Sequence, residues 1–149
     1  MTDIPFCQIL YDRRKKKPTF LYRGKGERKV NSLLERYERG ERVNFLSLSF
    51  NLNSLPLFTR RVLSLVRKIP YGKVLSYGEL AKRLGDKKKA RAVGAALRKN
   101  PLPVIIPCHR VIKENGELGG YKGGWEIKKW LLEREGVLIK GRRVLEWKR

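Results

Sequence analysis

The chain has 149 residues, 41% of them hydrophobic, which is enough to build a core for one ordinary domain or for two small ones sharing an interface. No stretch approaches the roughly 20 apolar residues that span a bilayer, and the opening MTDIPFCQIL lacks a basic segment followed by a long apolar one, so a soluble, cytoplasmic protein without membrane association is expected. Two cysteines and one histidine are too few for a disulfide framework or a four-ligand zinc site, whereas 36 Lys plus Arg against 14 Asp plus Glu, a formal charge of +22, aim the surface at a polyanion, with nucleic acid first.

CQILY and TFLYR are β-prone runs separated by the basic turn DRRKKKP, a hairpin pattern. In ERKVNSLLERYERG, the residues Val30, Leu33, Leu34 and Tyr37 fall at i, i+3, i+4 and i+7, which predicts an amphipathic helix closed by Gly40. A further strand is expected in RVNFLSLSF. The polar, turn-rich NLNSLP then marks a boundary, dividing the chain into a small N-terminal α/β unit, 1–55, and a mostly helical unit, 56–149, of an α/β (α+β) protein.

LFTRRVLSLVRKI predicts a helix with apolar residues at 58, 62, 65, 66 and 69. In the segment that follows, Ser76 with Glu79 three residues on reads as a capping box, opening a short helix that stops at Gly85. A second helix over KKARAVGAALRK makes the pair a helix-turn-helix candidate. Its small residues Ala92, Gly94, Ala95 and Ala96 would let the backbone approach a groove, with Arg91, Arg98 and the neighbouring lysines on phosphates; the competing reading packs the small face against another helix. PLPVIIP reads as a rigid, proline-bounded strand, RVI as a strand end, KENGE as a turn and LGGYKGG as a glycine-rich loop. The last helix, WEIKKWLLERE, presents Ile127, Trp130 and Leu131 to the core and ends at Gly136, before a basic tail.

The chain's single histidine follows a cysteine directly. A thiol reacts as the thiolate and needs a linked base near neutral pH, and histidine is the usual one. Neighbours on an extended strand point to opposite faces, so either the chain bends at Cys108 and His109 or a water relays the proton. The acid that orients the histidine must then lie elsewhere. Glu135 is a candidate because it sits in the last turn of a predicted helix, where a carboxylate opposes the macrodipole; the alternative is a solvated helix end. Prolines 101, 103 and 107 would hold the thiol in place, whereas Cys7, in an apolar strand, reads as inert.

PVIIPCHRVI resembles the active-site signature of the O6-alkylguanine-DNA alkyltransferases, and IPYGKVLSYGELA, ARAVGAALRKNP, GGYKGG and LLEREG follow in that family's order, so the resemblance covers about residues 56–136. It implies a ribonuclease H-like N-terminal unit and a helix-turn-helix C-terminal one. It further implies a suicide repair reaction in double-stranded DNA that moves the alkyl group of O6-alkylguanine, with O4-alkylthymine left open, onto Cys108 of a monomeric protein that needs no cofactor. By the same resemblance His109 is the water-linked base, Glu135 polarises it, and Asn100 holds the surrounding backbone. Tyr77 donates to guanine N3, while Val111, Tyr121 and Lys122 line the guanine pocket. Arg91 fills the space of the flipped base, and Thr59, Ser76, Gly78, Ala90, Ala92, Gly94, Ala95 and Arg98 contact DNA. Some relatives hold zinc in the N-terminal unit; this chain lacks the ligands, so that unit must stand without metal. Binders of the same family that do not transfer alkyl groups carry tryptophan where this sequence has Cys108. Two rival readings are a helix-turn-helix module with a structural Cys108 and a Cys-His hydrolase, the latter disfavoured because no glycine-rich element before Cys108 supplies an oxyanion hole.

Overall fold

The computed structural model describes residues 5–147. Strands β1 (Phe6–Asp12) and β2 (Lys17–Arg23) form the antiparallel hairpin, in a register that sets Cys7 opposite Tyr22. Its turn is held by Asp12, whose Oδ1 accepts from the backbone N–H of Arg14 and Lys15, an Asx turn that leaves the basic side chains to solvent. Helix α1 (Glu27–Glu38) lays Val30, Leu34 and Tyr37 on the sheet. It also covers the free edge of β2: Asn31 exchanges two hydrogen bonds with the Tyr22 backbone, and Glu38 accepts from Phe20 N at 3.0 Å.

The strand expected in RVNFLSLSF does not form. Residues 41–50 run in irregular turns, although Val43 and Phe45 are buried. The carbonyls of Phe45 and Leu48 are taken by the Arg67 guanidinium at 2.9 and 2.8 Å, so one side chain supplies the donors that a neighbouring strand would have offered.

Helices α2 (Leu57–Val66), α3 (Tyr77–Arg83) and α4 (Ala90–Arg98) pack on one another. The Ser76 hydroxyl accepts from Glu79 N at 3.0 Å, capping α3, and donates to Glu114. Gly85, at φ 100°, turns the chain into a 3-10 turn, Lys87–Lys89, that leads into α4. Two-residue strands β3 (Leu75–Ser76) and β4 (Val111–Ile112) pair in parallel and tie the start of α3 to the chain leaving the cysteine. Helix α5 (Trp125–Arg134) buries Ile127, Lys128, Leu131 and Leu132, with Trp130 half-buried against Phe20. The chain closes with the small hairpin β5 (Ile139–Lys140) and β6 (Arg143–Val144).

The proline-bounded run is not a strand either. Residues 101–107 make a tight double bend in which Val104 takes φ 76° and Ile106 N bonds back to Leu102 O. Prolines cannot donate to a ladder, and Asn100 replaces one: its Oδ1 accepts from Leu102 N at 2.9 Å and its Nδ2 donates to Ile106 O at 3.0 Å. One buried cluster runs from Tyr22, Leu34 and Tyr37 through Val62 and Ile106 to Leu131, so the segments on either side of residue 55 share a core. The fold is thus a mixed one, helices carrying small sheets.

Candidate active site

Cys108 opens a 3-10 turn, Cys108–Arg110, immediately after the bend. Successive side chains on such a turn splay about 120° apart, so the thiol and the imidazole point to different places. The thiol is partly exposed at the wall of a cavity of about 470 Å³, while His109 is fully buried. Asn100, besides pinning the bend, donates to Cys108 Sγ at 3.2 Å.

Behind the imidazole lies Glu135, 6% exposed, the last residue before α5 reverses at Gly136. Its Oε2 meets His109 Nε2 at 2.7 Å and accepts from Tyr37 Oη at 2.6 Å and Arg110 Nη2 at 3.0 Å; Oε1 accepts from Arg110 Nε at 2.8 Å and Gly72 N at 2.9 Å. Burial alone would raise this carboxyl's pKa, but His109 and Arg110 outweigh it and hold the group well below the usual carboxylate range. Arg110 already neutralises Glu135, so burial dominates at His109 and keeps the imidazole below its ordinary 6.5, with Glu135 only partly opposing. A neutral imidazole donating Nε2–H to Glu135 leaves its Nδ1 lone pair as the basic atom. Nδ1 is buried and has no hydrogen-bond partner among the described residues.

The Cys108 thiol is pushed up by burial and pulled back by the Asn100 hydrogen bond and the Lys128 charge. It therefore rests protonated near neutrality and depends on a linked base. Lys128 is the residue sequence reasoning missed here. Fully buried, it donates to Val111 O at 2.7 Å, and burial brings its ammonium down to about 8, with Cys108 holding it up. The signal was present, because Lys128 shares the buried stripe of α5 with Leu131 and Glu135 at i+3 and i+7. Arg110 stood inside the quoted motif; Tyr37 and Gly72 carried no such signal.

Tyr77, Gly94, Arg98, Tyr121 and Lys122 line the same cavity as Asn100 and Cys108. Gly119 must stay glycine: it has φ 76°, and a Cβ there would stand 3.2 Å from the Tyr77 hydroxyl. Val111 does not line the cavity, and its carbonyl is engaged by Lys128. On α4, Arg91, Ala92 and Arg98 are exposed, and Ala90, Gly94 and Ala95 half-buried. Three residues expected at DNA are enclosed instead. Thr59 faces the core at 2% exposure, Ser76 is used up in capping and in its bond to Glu114, and Gly78 is buried beneath the Glu114 carboxylate. Among the described residues no cluster of three or more His, Cys, Asp or Glu could hold a metal ion, and no helix is long and apolar enough to cross a membrane.

A cavity-lining thiol stands beside a buried His-Glu-Arg cluster and a basic helix rich in small residues, the arrangement of a candidate Cys-His-Glu site. Residues 57–137, just over half of the chain, match the family model described as the 6-O-methylguanine DNA methyltransferase DNA-binding domain, and the chain belongs to that family. It is 48% identical over 107 residues to a methylated-DNA--protein-cysteine methyltransferase of Metallosphaera sedula, covering 72% of this chain and 66% of that one. Curated relatives from Methanocaldococcus jannaschii and Shigella flexneri are covered over 50% and 48% of their lengths, so the matched part spans about half to two thirds of such proteins. Among solved structures, the Mycobacterium tuberculosis OGT in complex with DNA superimposes with a TM-score of 0.70 at 30% identity, covering 87% of this chain and 92% of that one. The S. pombe Atl1 bound to damaged DNA containing O6-carboxymethylguanine gives 0.52 at 35% identity over 61% and 83%.

Proposed function

We propose that this protein repairs double-stranded DNA by taking the alkyl group of O6-alkylguanine irreversibly onto Cys108. The observation that carries the reading is the position of Cys108, at the wall of a cavity of about 470 Å³ with Asn100 on its sulfur and the His109–Glu135 pair behind it. A cavity of that size suits a flipped base, and a stacked base hides its O6 from any thiol. In the proposed step the thiol proton passes through a bridging water to His109 Nδ1. A sulfur lone pair forms the S–C bond as the C–O6 bond breaks, and the released electron pair is neutralised by a proton from Tyr77 to guanine N3. A thioether carries no good leaving group for the neighbouring side chains to expel, so each chain acts once.

In this reading α3 and α4 form a helix-turn-helix, with α4 in the minor groove, the half-buried Gly94 and Ala95 permitting close approach and Arg91 filling the gap left by the flipped base. The division near residue 55, a ribonuclease H-like N-terminal unit and a cytoplasmic, monomeric protein without cofactor complete the proposal. Support comes from family membership and from relatives solved with DNA and with damaged DNA.

The direct test mixes the protein with duplex carrying radiolabelled O6-methylguanine. Label per chain is expected to stop at one, and turnover beyond one would refute the reading. Arg91→Ala should slow transfer from duplex roughly tenfold or more while sparing reaction with free O6-benzylguanine, because a free base needs no flipping. Equal losses on both substrates would remove the proposed role of Arg91.

A further inference from the structure

We infer that Tyr37, through its hydrogen bond to Glu135, is a positioning residue for the His109 base, so that the N-terminal unit completes the active site. The inference rests on the proposed role of His109. Tyr37 lies on α1, 98 residues before Glu135, and is wholly buried. A phenylalanine would fill that core position without having to satisfy a hydroxyl, so the polar atom calls for an account. Its acceptor is Oε2, the oxygen that also takes His109 Nε2, at 2.6 and 2.7 Å. With Arg110 Nη2 at 3.0 Å, Oε2 receives three donors where two in-plane lone pairs are available.

The donors divide by origin. His109, Arg110 and Gly72 come from the C-terminal part of the chain, and His109 and Arg110 hold the carboxylate charged, whereas Tyr37 reaches it from the N-terminal unit. What Tyr37 adds is a fixed carboxylate rotation and a smaller share of negative charge on the atom facing Nε2. Both act on the imidazole: the first aims the ring, and the second limits how strongly Glu135 favours a proton on His109, which must be unprotonated to accept one. Other ionisable groups around the carboxylate are Tyr71, whose hydroxyl donates to Arg134 O, with Arg134 and Arg42 near it, and Tyr121; the charge of Lys128 also acts on the imidazole.

The chain's single histidine makes the test unambiguous, because one set of imidazole ¹⁵N shifts reports the site without assignment. In Tyr37→Phe the imidazole is expected to begin titrating at a higher pH than in wild type, and transfer to Cys108 below neutral pH to slow about 3- to 10-fold. The isosteric 3-fluorotyrosine at position 37, a stronger donor, should move the titration the other way, and serves if the phenylalanine variant fails to fold. A folded variant with a lowered melting point but unmoved imidazole shifts would leave Tyr37 a packing residue and overturn the inference. The shifts are read without any alkyl donor, so a failure of the repair reaction itself would appear separately, as wild-type protein that takes no label.

Discussion

Cys108→Ala is expected to take up no label from O6-methylguanine duplex while binding the duplex as tightly as wild type. The substitution removes one sulfur at a cavity wall, and the Asn100 bonds to Leu102 N and Ile106 O that shape the bend remain, so folding should be little affected. Nothing replaces the nucleophile. Cys7, the other thiol, is 5% exposed in β1 and pushed up to about 12, chiefly by burial, which leaves it almost wholly protonated and unreactive at neutral pH. Label retained on the variant would move the acceptor elsewhere. Wild-type protein that binds but never takes label would favour the rival reading, a DNA-binding module with a structural cysteine.

Glu135→Gln is expected to be the most damaging isosteric change in the chain. It leaves Arg110, 7% exposed, with its charge and only neutral acceptors, and breaking such a buried pair costs about 3 to 5 kcal/mol, which lowers the melting temperature of a chain this size by roughly 6 to 20 °C. Transfer should slow about 10²- to 10⁴-fold in protein that remains folded, because His109 loses the partner that orients it as a base. The pH dependence follows from linkage. Glu135 has a folded pKa below its unfolded value of 4.5, so its stabilisation is present above pH 4.5 and fades as the unfolded chain takes up a proton that the native state refuses. His109, kept below 6.5 chiefly by burial, acts in the same sense at higher pH. Wild-type stability should therefore fall from about pH 6.5 downward, and the gap to Glu135→Gln should narrow below 4.5, where only wild type is losing the Glu135 contribution. Chemical denaturation from pH 7 to 3.5 measures both, and a gap that stays constant with pH would mean that the carboxylate is not held ionised by its partners.

Much of the fold is local and legible in the sequence. The hairpin, α1, α2, the α3–α4 pair and α5 all follow from residue periodicity with caps at Gly40, Ser76, Gly85 and Gly136, because amphipathic spacing and left-handed glycines act within a few residues. Two apolar runs misled. RVNFLSLSF and PLPVIIP look like buried strands, yet a strand exists only if another backbone supplies its hydrogen bonds, and here the Arg67 and Asn100 side chains supply them instead. Burial of Thr59, Ser76 and Gly78 was likewise set by what packs over them, α2's neighbours and Glu114, which no local pattern announces.

The site divides the same way. The adjacency of Cys108 and His109 is a fact of the sequence, and Glu135 drew notice because a carboxylate at a helix C-terminus is electrostatically out of place. That Arg110 offsets the misplaced charge, that Lys128 lies buried on the Val111 carbonyl with its charge acting on the thiol and that Tyr37 reaches Glu135 from the N-terminal part of the chain were decided only when the chain closed on itself. The physical reason is that a buried charge tolerates almost no position without partners, and those partners, separated by 25 and 98 residues, are chosen by packing rather than by spacing.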